Sequence, residues 1–320
     1  MMNMKKKQLA KAISIAQISW CTALVAPLAV GGPLGEQDMS GISDVVRDDS
    51  ENTTRVDIVS DLAEITWDSF NIEANETVHF NFETGELVDP ASGIVVNTVL
   101  DASSEISGRI QSVGHVVLIN PRGVLFNDGA SVDVGALTVS ALGGTISDRD
   151  GEFEFAFDEN RQSTSGEISS GGIINSGELL ADQGITLIGR SVQNLSVEGG
   201  LGSARIESAH VEMVAADAVT LTLDSQSGLY GVEVTSSSLA EELIVNGSDA
   251  VIAGSRVLMT AAASDAITAT AVNNSGTIEA KGIDLSGGVV RLTGTGGGTI
   301  NNAGEITVSV DDTVAQDVAV

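Results

Sequence analysis

The chain has 320 residues, with 44 Asp and Glu against 15 Lys and Arg and a formal charge of −29. Four of the bases, Lys5, Lys6, Lys7 and Lys11, lie at the very start and no acid precedes Glu36, so the remainder is more acidic still. Such a field repels phosphate backbones and anionic lipid, which excludes nucleic acid as a partner and leaves divalent cations or a basic protein.

The first segment reads as an export signal. A basic stretch from Met1 to Lys11 precedes an apolar stretch from Ala12 to Val25, and Ala29-Val30-Gly31 supplies a small-residue cleavage site, giving a signal peptide over residues 1–31. Ser14, Gln17, Ser19 and Thr22 make the segment too polar and too short for a membrane span. Cys21, the only cysteine, sits inside it behind Ile18-Ser19-Trp20, which is not a lipid-attachment box. Cleavage therefore removes the one thiol, and with it disulfides, thiolate metal sites and cysteine nucleophiles.

Residues 32–95 are assigned to an N-terminal β cap and the first strands. Within them Thr77 to Phe82 alternates, placing Val78, Phe80 and Phe82 on one face. A solenoid needs such a cover, because an open first coil exposes apolar interior and unpaired backbone. Next comes Val116-Val117-Leu118-Ile119, then Asn120-Pro121-Arg122-Gly123, then Val124-Leu125-Phe126. Asn at the first turn position, Pro at the second and Gly at the fourth are type I preferences, so this is a tight corner between two buried strands. Glu152 to Phe157 alternates again between Gly-, Ser- and Asp-rich loops, which suits a hairpin packed outside the main helix.

After Pro121 no proline occurs in the remaining 199 residues. Proline cannot donate to a central ladder, so a proline-free tract rich in Val, Ile, Thr, Ser, Ala and Gly suits continuous sheet with tight turns. All seven phenylalanines lie between Phe70 and Phe157, and beyond them the only aromatic is Tyr230. Small and aliphatic side chains fit a narrow interior in which each coil stacks on the next. Leu239 to Leu243 is the one local helix candidate. Three related units recur: Ile174-Asn175-Ser176-Gly177-Glu178-Leu179, Asn273-Asn274-Ser275-Gly276-Thr277-Ile278 and Asn301-Asn302-Ala303-Gly304-Glu305-Ile306. The recurring asparagines stack as a side-chain ladder at one corner, or else mark independent turns. The fold class is all-β, a right-handed parallel β-helix with a cap and an extra-helical hairpin. Its body spans residues 96–260, with further coils over 261–320.

His79, His115 and His210 are isolated and lack paired ligand spacing, and no repeated calcium-binding nonapeptide or phosphate loop is present. No metal, cofactor or catalytic group is assigned. A β-helix enzyme acting on polysaccharide would need paired carboxylates on one face, and the scarcity of bases after Arg122 counts against a lyase. An autotransporter would need a C-terminal membrane barrel with aromatic girdles, which residues 158–320 lack.

The run from Leu118 to Phe126, followed by Gly129 to Leu137, resembles the Asn-Pro-Asn-Gly region of the two-partner secretion domain, which opens filamentous hemagglutinin and related hemolysins, adhesins and contact-dependent toxins. Upstream, Ile65 to Ile72 with Glu76 to Phe80 resembles that domain's other recurring stretch, and the likeness extends over residues 40–260. Arg122 stands where the family's second turn Asn is usual, and no second Asn-Pro motif follows. The resemblance implies a non-enzymatic exoprotein, secreted or held at the cell surface. Its implied partner is a cognate outer-membrane β-barrel transporter with periplasmic docking domains, and a host or neighbouring-cell surface ligand is the expected target of an adhesive passenger. It also implies that Trp67, Phe70, Asn120, Pro121, Arg122 and Gly123 form the recognition and secretion motif. On residue chemistry alone, Trp67 and Phe70 are equally buried cap residues and the turn a structural corner. A polysaccharide-degrading enzyme or another secreted β-solenoid is the alternative.

Overall fold

The structure is a computed structural model, and it describes residues 32–82, 89–147, 152–156, 171–222, 231–237, 242–263, 270–282, 287–296 and 298–310. The N-terminal segment 1–31, Asp148-Arg149-Asp150, Phe157, Tyr230 and Asp311-Asp312 lie outside these residues. No helix among the described residues is long and apolar enough to cross a membrane.

Two strands, β1 (Gln37–Ser40) and β2 (Ile42–Asp48), open the described chain. They lie antiparallel on the first coil, which is formed by β3 (Thr53–Ile58) and β4 (Leu62–Trp67) and reaches its third side at Ile72. This antiparallel pair closes the open end, and from β3 onward the solenoid pairs in parallel. The second coil has β5 (Thr77–Phe82), a short 3-10 turn at Pro90–Ser92, β6 (Ile94–Val99) and β7 (Ser104–Ile106). The third has β8 (Arg109–Ser112), β9 (His115–Ile119) and β10 (Val124–Phe126).

In the fourth coil one long strand, β11 (Ser131–Ser140), covers two sides, pairing with β8 at its start and β9 at its end. The chain then leaves the solenoid as β12 (Gly143–Ser147) and β13 (Glu152–Ala156) before returning as β14 (Gly172–Asn175). The fifth coil is β15 (Glu178–Gly189) and β16 (Ser191–Asn194). The sixth is β17 (Arg205–Ala215), a second excursion β18 (Ala218–Thr222) and β19 (Gly231–Ser236), and β20 (Glu242–Asn246). Leu243, at the end of the expected helix, is therefore strand, its side chain fully buried in the stack; residues 239–241 lie outside the described set. The seventh coil has β21 (Val251–Gly254), β22 (Arg256–Ala262) and β23 (Thr270–Asn274). The eighth has β24 (Thr277–Gly282), β25 (Val289–Thr295) and β26 (Thr299–Asn302), and β27 (Glu305–Val310) starts another.

The first and second sides form one 16-stranded sheet, because β11, β15 and β17 bend around the corner between them. The third side is a seven-stranded sheet from β7 to β26. The two excursions combine into a four-stranded antiparallel sheet outside the helix, larger than the expected hairpin. Trp67, Phe70, Phe80 and Phe126 fill the early interior, and aliphatic columns such as Val132, Leu179, Ile206, Ile252 and Ile278 fill the rest.

The repeated asparagines form a ladder. Asn175 Nδ2 donates to Asn194 Oδ1 at 2.9 Å, Asn194 to Asn246 at 2.9 Å, Asn246 to Asn274 at 2.8 Å and Asn274 to Asn302 at 2.6 Å. Each ends a third-side strand and, from Asn175 to Asn274, is fully buried, so each amide relies on protein partners, chiefly on the coils beside it. The same position in the earlier coils holds Ile106 and Phe126, which are buried and apolar. The glycine two residues after each repeat asparagine has a separate reason. A Cβ at Gly276 would collide with the carbonyl oxygens of Gly247 and Ala250 on the coil below. The repeat thus encodes an amide for the ladder, a close approach at the corner and an inward aliphatic.

Asn246→Ala should cost about 2–4 kcal/mol in a denaturant titration, because it strands the Asn194 donor and the Asn274 acceptor inside the stack. Asn301→Ala, on the exposed outside, should cost under about 1 kcal/mol.

Candidate functional site

The six expected site residues gather at the corner between the second and third sides, on the first and third coils. Asn120 donates its backbone N–H to Ser140 O of the next coil at 2.8 Å, and its carbonyl accepts from Gly123 N at 2.9 Å, closing the turn. Its side chain is fully buried. Oδ1 accepts from Arg122 N at 3.0 Å, while Nδ2 donates to Ala102 O and Ser104 Oγ, both at 2.8 Å, on the coil before. Asn120 therefore closes its own turn and fastens it to its neighbour, which explains why a short amide is needed there. Pro121 is buried and Gly123 has φ +105°, a region L side chains rarely adopt. Arg122 does not have a positive φ, consistent with the type I geometry. Its Nε donates to Leu100 O at 3.0 Å, so this long side chain also reaches back one coil.

Trp67 and Phe70 lie in the core rather than on a surface, both fully buried, with ring centroids 6.1 Å apart in an edge-to-face contact. Trp67 Nε1 donates to Asn97 Oδ1 at 3.0 Å, and Asn97 Nδ2 donates to Val117 O at 3.2 Å. Asn97 is fully buried on the second coil. It joins the Trp67 strand to the strand that enters the turn. The backbone repeats the link, since Leu100 N donates to Trp67 O while Leu100 O accepts from Arg122. The structure thus brings the two sequence-distant halves of the motif onto one corner through a second-coil residue that residue patterns did not single out. The available signal was a lone amide inside Ile94-Val95-Val96-Asn97-Thr98-Val99, at a position whose parity places it inward.

A family model described as the TPS secretion domain matches residues 37–308. The chain belongs to the two-partner secretion domain family. The TPS secretion domain of this chain is similar in fold to two solved structures. The HMW1 secretion domain from Haemophilus influenzae is 22% identical with a TM-score of 0.59, over 86% of this chain and 67% of that one. The filamentous hemagglutinin secretion domain is 14% identical with a TM-score of 0.52, over 87% of this chain and 100% of that one. No curated protein matches.

Elsewhere in the TPS domain, no group of three or more His, Cys, Asp or Glu side chains is placed to hold a metal ion among the described residues. His115 is buried on the outer face of the second side with Nε2 2.9 Å from Thr138 Oγ1, and burial pushes its pKa down to about 4. Glu212, on the outer face of the same side three coils on, is 7% exposed, and desolvation pushes its carboxyl up to about 7 against the opposing pull of Arg256. Neither has the partner groups of an acid–base pair; both are charges suppressed by burial.

Gly123→Ala should destabilise the domain by about 1–2 kcal/mol through backbone strain, whereas Arg122→Asn, which keeps the turn and loses the Nε bond to Leu100 O, should cost about 1–2 kcal/mol; denaturant midpoints measure both. The folded Glu212 keeps its proton to higher pH than the unfolded chain does, so its cost to stability grows as pH rises from 4.5 toward 7. Glu212→Gln should therefore match the parent near pH 4.5 and exceed it by roughly 1–3 kcal/mol at pH 8, read in the same way.

Proposed function

We propose that the chain is a secreted, non-enzymatic two-partner exoprotein, captured in the periplasm by the docking domains of its cognate outer-membrane transporter and folded as a β-helix at the cell surface. The observation that carries this reading is the shared corner. Trp67, Phe70, Asn120, Pro121 and Gly123 are all buried once the coils have stacked. A partner can therefore read them only before folding, as extended apolar strands. Strand addition to a sheet edge of the transporter suits the apolar segments Ile65 to Ile72 and Val116 to Phe126, with every second side chain free to supply specificity. After release the same residues become the interior and joints of the first coils, so recognition and nucleation use one set of side chains at different times. The acidic chain also complements a basic channel. An adhesive passenger role, toward a host or neighbouring-cell ligand, rests on family membership.

Co-expression with the cognate transporter tests the reading. Deleting Trp67 to Phe70, or replacing Asn120–Gly123 by a Gly-Ser linker, should trap the protein in the periplasm, with at least a tenfold loss from the medium on immunoblots. Release at the parental level would overturn the assigned recognition role. Arg122→Asn, which restores the usual family turn, should be secreted normally.

A further inference from the structure

The extra-helical sheet is assembled from two separated parts of the chain. Both excursions leave at the corner between the second and third sides, β12–β13 from the fourth coil and β18–β19 from the sixth. They meet where β13 pairs antiparallel with β18, from Glu152–Thr222 to Ala156–Ala218. Beneath them the second side carries a stripe of apolar residues on its outer face as well as those inside. Val96, Val117, Ile119, Ile188 and Val214, from the second to the sixth coils, form a second buried cluster separate from the solenoid core. Val219 of β18 belongs to that cluster and Val234 of β19 packs against it.

Two physical constraints then fix an order. A lone two-stranded hairpin is marginal in water, so β12–β13 gains little before a third strand joins. That strand, β18, follows β17 directly in the chain, so it is held beside β13 only once β17 lies on β15. We propose that the extra-helical sheet is a latch: it closes after the sixth coil is in place, covers the outer apolar stripe, and ties the fourth and sixth coils directly. In an ordinary solenoid each coil holds only its neighbours and the end can fray coil by coil. Here the fourth coil's excursion cannot be withdrawn without first breaking β13–β18. If the chain folds while emerging from a transporter (the part that rests on the function proposed above), latch closure is the step after which the second to sixth coils do not slip back. The latch itself is a property of the isolated chain and is tested without a transporter.

Pulse-labelled hydrogen exchange during refolding of the full chain decides the order. Amides of β12 and β13 should gain protection together with those of β18 and β19, and after those of β9, β11 and β15. Protection of β12 and β13 at the same time as β11 would overturn the proposal. In the folded state, Thr220→Pro removes a ladder donor from β18, the strand that lies between β13 and β19. It should speed exchange at least tenfold in β12, β13 and β19 and raise binding of the dye ANS several-fold, while amides beside Asn274 stay within twofold of the parent. Thr220→Val should change none of these. Unchanged β12–β13 exchange and ANS binding in Thr220→Pro would also overturn the latch. Should that variant fail to fold, pulse-labelling of the unmodified chain still distinguishes late closure from early closure.

Discussion

Each coil of this solenoid satisfies its backbone N–H and C=O groups only by lying in register on the coils at either side. That single requirement dictates much else. Proline is absent from the described central strands, the interior must keep one width, and corners must let backbones approach closely. The first described coil is covered by β1 and β2 running antiparallel to it. Where side chains must also report register, the fold uses asparagine, whose amide both donates and accepts along the stack axis. A coil shifted by one residue would turn each of those amides out and put polar groups where its apolar neighbours belong.

The motif corner is a stronger version of the same joint. In the later coils the joints are identical amides repeated, whereas between the first and third coils they are individual: Trp67 to Asn97, Asn97 to Val117, Arg122 to Leu100, Asn120 to Ala102 and Ser104. Aromatic bulk and dedicated hydrogen bonds make the beginning of the stack self-sufficient in a way the uniform later coils are not. Arg122, in the place of an expected amide, keeps the turn because its position tolerates most residues, and it reaches back to the preceding coil.

The middle coils of the second side are buried on both faces. His115 to Ile119 is buried at every position, as strands covered on both sides are. The cost of that double burial appears at His115 and Glu212, whose pKa values move in opposite directions, so the His115 cost grows as pH falls from 6.5 toward 4 and the Glu212 cost as pH rises from 4.5 toward 7.

The parallel winding, the cap, the outward excursion at Glu152 and the turn at Asn120–Gly123 were legible in the chain, because each is a local consequence of residue type: no proline, alternation, Asn-Pro-x-Gly chemistry and a repeated Asn-x-Gly unit. Asn175, Asn274 and Asn302 could be read as a repeat, but Asn194 and Asn246 could not, since the spacing between successive rungs is an uneven 19, 52 and 28 residues, the longest gap holding the β18–β19 excursion. The helix expected near Leu239 to Leu243 gave way, at Glu242 and Leu243, to a strand because the stack demanded a third side there. Asn97, the two strands that β18 and β19 add to the outer sheet and the burial of Glu212 were decided by the tertiary structure alone. Each depends on which coil lies next to which, a relation between residues tens of positions apart that composition and periodicity within a segment do not carry.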